Sequence, residues 1–114
     1  MTLPKLKGEG YIIGDVELRF TKSGKAVANF PVAFSKSKKN EQTGQWERTH
    51  NLVVRATAWE KQAEDIADML GKGENIEVEG PVYMTEWEGK TRVEMLVDSF
   101  MRVGQKQKQE PWDV

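Results

Sequence analysis

The sequence predicts an all-β domain with one helix: a five-stranded barrel whose helix joins the third strand to the fourth. Three observations predict it. Apolar residues alternate at period two over most of the chain, one segment alone switches to helical spacing, and polar, glycine-containing turns separate the runs. With 114 residues there is room for one domain, since two would each be too small to bury a stable core without metal or disulfide support.

The first run, Gly10–Phe20 (GYIIGDVELRF), starts apolar and then alternates Val16, Leu18 and Phe20 with Asp15, Glu17 and Arg19. Its interior glycine predicts a bulge or a sharp bend, as at a barrel corner. Thr21–Lys25 (TKSGK) is a turn by composition. Ala26–Phe34 (AVANFPVAF) reads as the second strand, with Ala28, Phe30, Val32 and Phe34 on one face. Pro31 cannot donate to a ladder, so it places this strand at an edge or a bulge there. Ser35–Gln45 (SKSKKNEQTGQ) is polar and lysine-rich, which predicts an exposed loop or the tip of a long hairpin.

Asn51–Trp59 is the third strand. Leu52, Val54, Ala56 and Ala58 form its apolar face; Asn51, Val53, Arg55, Thr57 and Trp59 form the other. Glu60–Leu70 is the helix: Ala63, Ile66, Ala67 and Leu70 recur at i, i+3, i+4 and i+7, and Gly71 supplies the stop. Glu74–Trp87 alternates again, with Ile76, Val78, Val82 and Met84 inward and Glu77, Glu79, Tyr83, Thr85 and Trp87 outward. Glu88-Gly89-Lys90 reads as a tight hairpin connection. Thr91–Arg102 is the fifth strand, with Val93, Met95 and Val97 inward. Three strands, a helix and two strands is the order of the OB-fold; an SH3-like barrel has five strands but no three-turn helix at that point. Residues 1–104 form the expected domain, and 105–114 (QKQKQEPWDV after Gly104), which lack periodicity, an expected flexible tail.

Composition narrows the chemistry. No cysteine is present and His50 is the single histidine, which excludes thiolate zinc sites and thiol nucleophiles and makes His-rich metal sites and triad chemistry poor readings. No metal or cofactor is expected. Gly71-Lys72-Gly73 lacks the spacing of a phosphate-binding loop and follows a helix instead of opening one. No apolar run is long enough to span a bilayer, and Met1–Gly10 does not resemble a signal peptide, so a soluble, cytoplasmic protein is expected. The formal net charge is −1, yet the chain through Asn40 carries eight Lys and Arg against three Asp and Glu. That asymmetry suits one face meeting an anion, and equally a solvated loop beside an acidic helix.

Binding is a better reading than catalysis. Trp59 and Trp87 fall on outward strand positions, where stacking on nucleobases would give a large apolar side chain a purpose. Arg55 shares Trp59's face and can pair with phosphate, as can Lys36, Lys38 and Lys39 from the loop. Trp46 could grip a strand or merely pin the hairpin. Tyr83 follows the alternation onto Trp87's face, subject to the register at Pro81. The competing reading puts the tryptophans at the barrel end or in a subunit interface.

Several segments together resemble the bacterial single-stranded DNA-binding proteins: SGKAVANFPVAF (Ser23–Phe34), the TG-containing loop leading into Glu47-Arg48-Thr49, WEKQAEDIADMLGKGENIEVEG (Trp59–Gly80) and EGPVYMTEW (Glu79–Trp87). The resemblance runs from about Gly10 to Arg102. It implies sequence-independent binding and protection of single-stranded DNA in replication, recombination and repair, without catalysis. It implies base stacking by Trp59 and Trp87 and a phosphate contact from Arg55, with Arg48 joining the candidates. A family aromatic in the hairpin falls near Lys38, where a charge contact would replace a stack; another falls near Val53, and Trp46 could compensate for either. The resemblance also implies a homo-oligomer, a tetramer before a dimer. Family members usually carry a long glycine-rich linker and an acidic tip ending in Pro-Phe that recruits replication and repair proteins. Here the sequence closes with Glu110-Pro111-Trp112-Asp113-Val114, read as a frayed end in preference to a minimal docking tip, in the manner of compact phage or plasmid versions. An OB-fold RNA binder and a protein-interaction barrel are the alternatives.

Overall fold

The computed structural model describes residues 2–103. In chain order the elements are β1 (Lys5–Ile12), β2 (Glu17–Phe20), β3 (Ala26–Lys39), β4 (Trp46–Trp59), α1 (Glu60–Met69), β5 (Asn75–Trp87), β6 (Lys90–Leu96) and β7 (Ser99–Arg102). The sheet runs β1-β3-β4-β6-β5, and β5 pairs back onto β1, closing a ring of five; β2 adds to β3 and β7 to β5. All these pairings are antiparallel except β4 with β6. The helix between β4 and β5 completes the OB-fold arrangement expected from the element order.

Two of the five expected strands are broken, and the breaks have physical causes. The first strand starts at Lys5, earlier than expected, and divides into β1 and β2 around Gly14. A Cβ at Gly14 would stand 2.8 Å from the Pro31 ring. Ile13 N donates to Pro31 O at 3.0 Å, so the edge of Pro31 that lacks a donor faces the gap between β1 and β2, and little ladder is lost. The last strand divides into β6 and β7 where β5 turns its corner. At that corner Gly80 lies so close to Leu96 that an added Cβ would overlap the Leu96 carbonyl oxygen. Only a glycine lets β5 pass there from pairing with β7 (Ile76–Glu79) to pairing with β6 (Val82–Trp87).

Most inward residues are those the alternation selects, although Leu18, Phe20 and Leu52, on the apolar parity of their strands, are exposed. Ile12, Phe30, Val32, Val54, Ile76, Val78 and Met95 are fully buried, with Ile66 of the helix among them. Each such side chain is worth about 1.5–3 kcal/mol of burial. The helix packs against β2, β3 and β4, with Ala63 and Ile66 buried and Leu70 closing the stripe just beyond its last turn. Gly73, at φ 92°, then returns the chain to the barrel, its N–H donating to Ile12 O at 2.7 Å.

Two expectations need correction. Of the two alternatives expected for Ser35–Gln45, the long hairpin holds and the loop does not: Lys36–Lys39 is strand, β3 and β4 form a long hairpin arm, and only 40–45 turn. Asn40 fixes that turn, its Oδ1 accepting from Gln42 N at 2.9 Å and its N–H donating to Gln45 O at 2.7 Å. Met84, expected inward, is 68% exposed, because the β5–β6 hairpin runs past the end of the barrel and no core lies beneath its tip. Its turn, Glu88 (φ 51°) and Gly89 (φ 79°), joins the paired Trp87 and Lys90 as expected and has the two left-handed residues of a type I′ connection.

The Gly80 corner is testable. Gly80→Ala should destabilise the fold by about 3 kcal/mol through overpacking, read from urea denaturation. Gly71→Ala, where no atom lies within 4 Å of the added Cβ, should stay within about 0.5 kcal/mol of the parent.

Candidate nucleic-acid interface

Strand pairing places the candidate residues side by side. Partners directly across a ladder share a face, so the outward face can be followed from strand to strand. Arg19 of β2 lies opposite Val27 of β3, which lies opposite Trp59 of β4. Arg55 lies opposite Glu94 of β6, which lies opposite Tyr83 of β5. Thr85 faces Arg92, and Trp87 faces Lys90. One continuous surface across β2, β3, β4, β6 and the outer half of β5 thus carries Trp59, Arg55, Tyr83 and Trp87 together.

The arm extends this surface and divides the lysines. Pairing slips between Lys36/Ser37: Lys36 lies opposite His50, Ser37 opposite Arg48, and Lys39 opposite Trp46. Thr49 is the extra residue, its Oγ1 donating to Lys36 O at 3.0 Å. Such a bulge exchanges the faces of β4 beyond it. Trp46, Arg48 and Lys39 therefore continue the face of Arg55, while Lys36 and Lys38 lie on the opposite side of the arm beside His50 and Glu47. The expected loop cluster is thereby split.

Exposure grades along the face. Trp46 is 70% exposed, Trp87 57% and Trp59 44%, whereas Arg55 and Tyr83 are half-buried. Trp59 ends β4, and Glu60 turns the chain into the helix at once through a left-handed φ of 59°, holding the indole at the strand terminus. The Arg92 guanidinium lies 5.7 Å from the centroid of the Trp87 ring, a cation–π contact that covers one indole face. A groove of about 650 Å³ lies on this side of the sheet, lined among others by Glu17, Asn29, Pro31, Val53, Arg55 and Arg92.

The polar groups under this face are satisfied. Asn29, buried on β3, accepts from Arg19 Nη2 at 2.7 Å and donates to Thr57 Oγ1 at 2.8 Å. Thr85 Oγ1 donates to Glu94 Oε2 at 2.6 Å. Burial pushes the Tyr83 phenol above its ordinary value, the Glu94 carboxylate pushes it the same way, and Arg55 opposes them.

Sequence reasoning missed Arg19, Lys90 and Arg92. The signal was present for two of them: with Val93 and Met95 inward, Arg92 must point outward, and the hairpin sets Lys90 beside Trp87. Arg19 was legible only as an outward residue of a strand whose partner was unknown. The face as paired holds six basic side chains (Arg19, Lys39, Arg48, Arg55, Lys90, Arg92) against two acidic ones (Glu17, Glu94), a local excess absent from the net charge of −1. Among the described residues no cluster of three His, Cys, Asp or Glu could hold a metal ion, and no helix is long and apolar enough to cross a membrane.

A closed ring of five strands, a helix between β4 and β5, and one open face of indoles and cations define an OB-fold binding barrel. The profile of the single-strand binding protein family matches residues 9–103, and the chain belongs to that family. It is 42% identical over 79 residues to a single-stranded DNA-binding protein of Corynebacterium glutamicum, covering 69% of this chain and 35% of that one. It is 39% identical over 96 residues to one of Paenarthrobacter aurescens, covering 80% and 56%. The chain thus spans about half the length, or less, of these curated relatives. Among solved structures it is similar to the small single-stranded DNA-binding protein of Streptomyces coelicolor, with a TM-score of 0.79 at 16% identity over 93% of this chain and 99% of that one. A deletion mutant of the Thermus aquaticus protein follows, at 0.68 and 24% identity over 90% and 51%. At those identities the structures support the fold.

The neighbours of Tyr83 make its titration a probe of the face. In a Tyr11→Phe background, Glu94→Gln should lower the Tyr83 pKa and Arg55→Ala should raise it, read from phenolate absorbance. A folded value raised above the ordinary 10.0 favours the neutral phenol in the fold. Its contribution to stability is therefore complete below that pH and is lost as pH climbs through the folded value.

Proposed function

We propose that the chain binds single-stranded DNA without regard to overall sequence and without catalysis, protecting it in replication, recombination and repair in the cytoplasm. The observation that carries this is the row of exposed indoles interleaved with cations on one sheet face: Trp46 with Lys39 and Arg48, Trp59 with Arg55 and Arg19, Trp87 with Lys90 and Arg92. Indoles stack on any base, at roughly 1–3 kcal/mol per base, and cations track phosphates. Duplex DNA hides its base faces and cannot use the indoles. Lys36 and Lys38 complete the set of phosphate contacts from the far side of the arm.

The family reading includes self-association, a tetramer before a dimer. A surface that would suit it is the free edge of β1: β1 pairs with β5 along one edge, while among the described residues its other edge meets β3 only at Tyr11 and Ile12, which leaves the backbone of Lys5–Gly8 for a further strand. Recruitment of replication or repair proteins through Glu110–Val114 concerns residues outside those described.

Tryptophan fluorescence during titration with poly-dT tests the proposal. Strong quenching by the single strand, weakened by salt and absent with duplex, is expected; no quenching by either would return the indoles to a protein interface, and stronger binding of RNA oligomers would change the ligand. Trp87→Ala should weaken binding by about 1–3 kcal/mol with little change in salt slope. Lys38→Glu and Lys39→Glu should each flatten the slope. Equal slopes in all three variants would overturn this division between stacking and charge.

A further inference from the structure

Glu94 is an anomaly on a face built for a polyanion. It stands at the centre of the row Arg55–Glu94–Tyr83, flanked by one strand on each side. Its carboxylate repels phosphate, so it lowers affinity for any strand that passes over it. Nor is it explained as Arg55's partner: among the described residues no ion pair joins the two, although they are adjacent across β4 and β6. Glu94 is instead held by Thr85, whose hydroxyl donates to Oε2 at 2.6 Å, which leaves Oε1 and the remaining lone pairs of Oε2 as acceptors. Arg55, half-buried beside the groove, keeps its donors. An oriented acceptor and an uncommitted donor thus stand at paired positions of adjacent strands, whose backbones run about 5 Å apart, and Tyr83 is paired to Glu94 on its other side.

We infer that Arg55 and Glu94 form a base-reading subsite that prefers guanine within an otherwise sequence-tolerant strand. This rests on the single-strand reading above. Unstacked bases present their Watson–Crick edges to protein side chains. On guanine that edge carries two adjacent donors, N1–H and the N2 amino group, followed by the O6 acceptor. Two donors match the two carboxylate oxygens of Glu94, and O6 falls toward Arg55, while the ring can lie against Tyr83. The other bases fit worse. Thymine offers one N–H between two carbonyl oxygens, so one carboxylate oxygen meets an acceptor. Cytosine and adenine each put a ring-nitrogen acceptor beside their amino group. A site that hydrogen-bonds a particular edge discriminates strongly because the wrong base leaves its polar groups unpaired.

The test uses oligo-dT of fixed length carrying one central substitution: guanine, inosine, adenine or none. A single guanine cannot build a quadruplex, and the strand can slide to bring it to the subsite. With the parent protein, guanine should tighten binding about fivefold or more over unsubstituted oligo-dT. Inosine, which keeps N1–H and O6 but lacks the amino group, should fall between, and adenine should give no comparable gain. The adenine arm separates edge reading from the stronger stacking of purines. Glu94→Gln should remove the guanine preference, so that guanine-substituted and plain oligo-dT bind the variant alike. Circular dichroism and urea denaturation report that the variant is folded. Equal affinities for guanine and adenine oligomers in the parent, or a guanine preference that survives Glu94→Gln, would overturn the subsite while leaving single-strand binding intact. Failure of every oligomer to bind the parent would overturn the single-strand reading itself, and the subsite with it.

Discussion

Closure of the sheet is the constraint on which the rest depends. Once β5 pairs with β1 as well as with β6, the ring has an inside that must be filled and an outside that need not be. Because side chains alternate, every inward residue commits its neighbours to the outside. Val54, Ala56 and Ala58 in the core force Arg55, Thr57 and Trp59 outward, and Met95 forces Glu94. The candidate binding surface is therefore the complement of the core, and its composition is the only freedom the sequence has there. Closure also demands corners, and the two that matter are made by removing atoms: the side chain at Gly80 against Leu96, and the amide hydrogen at Pro31 beside the gap in the first strand.

The electrostatics of that surface are arranged by strand, not by total charge. Cations arrive one or two at a time from β2, β3, β4 and β6, so none is dense enough to stand out in the sequence, and the acidic helix masks them in the sum. Several are also oriented. Arg19 is tied to Asn29, itself tied to Thr57, and Arg92 rests on Trp87. A guanidinium already held loses less side-chain freedom on meeting a phosphate than one that swings freely in solvent. The buried Asn29 thus costs little, having a partner at both its oxygen and its nitrogen, and gives the face a fixed point between core and solvent.

Much of this was legible because period two is a strong signal wherever one face is buried. The alternation in Asn51–Trp59 was enough to put Arg55 and Trp59 together, and the helix stood out by its change of spacing. Legibility failed where the core ends. Met84 follows the inward parity of Ile76 and Val78, yet parity says only which side of the sheet a residue takes, not whether anything lies beneath it. The arm failed for a related reason: without apolar neighbours Lys36–Lys39 has no alternation to read, and the slip at Thr49 that brings Trp46 and Arg48 onto the face of Arg55 has no local signature. Partners across strands, such as Arg92 for Trp87 or Glu94 for Arg55, required the pairing order itself.

The two arms differ from the barrel in what holds them, and this bears on how the protein would grip a strand. Beyond Phe34 and Leu52 the β3–β4 arm has hydrogen bonds along its ladder but no buried side chain, and the β5–β6 tip is in the same position. Such segments lie at the low end of local stability. Trp46, Lys39 and Arg48 therefore stand on a support that a bound strand must help to order, at a cost drawn from the binding free energy. Trp59 and Arg55 stand over the core and pay no such cost. Contacts at the barrel would accordingly set the position of the strand, and those on the arms would add reach and salt dependence to a grip already made.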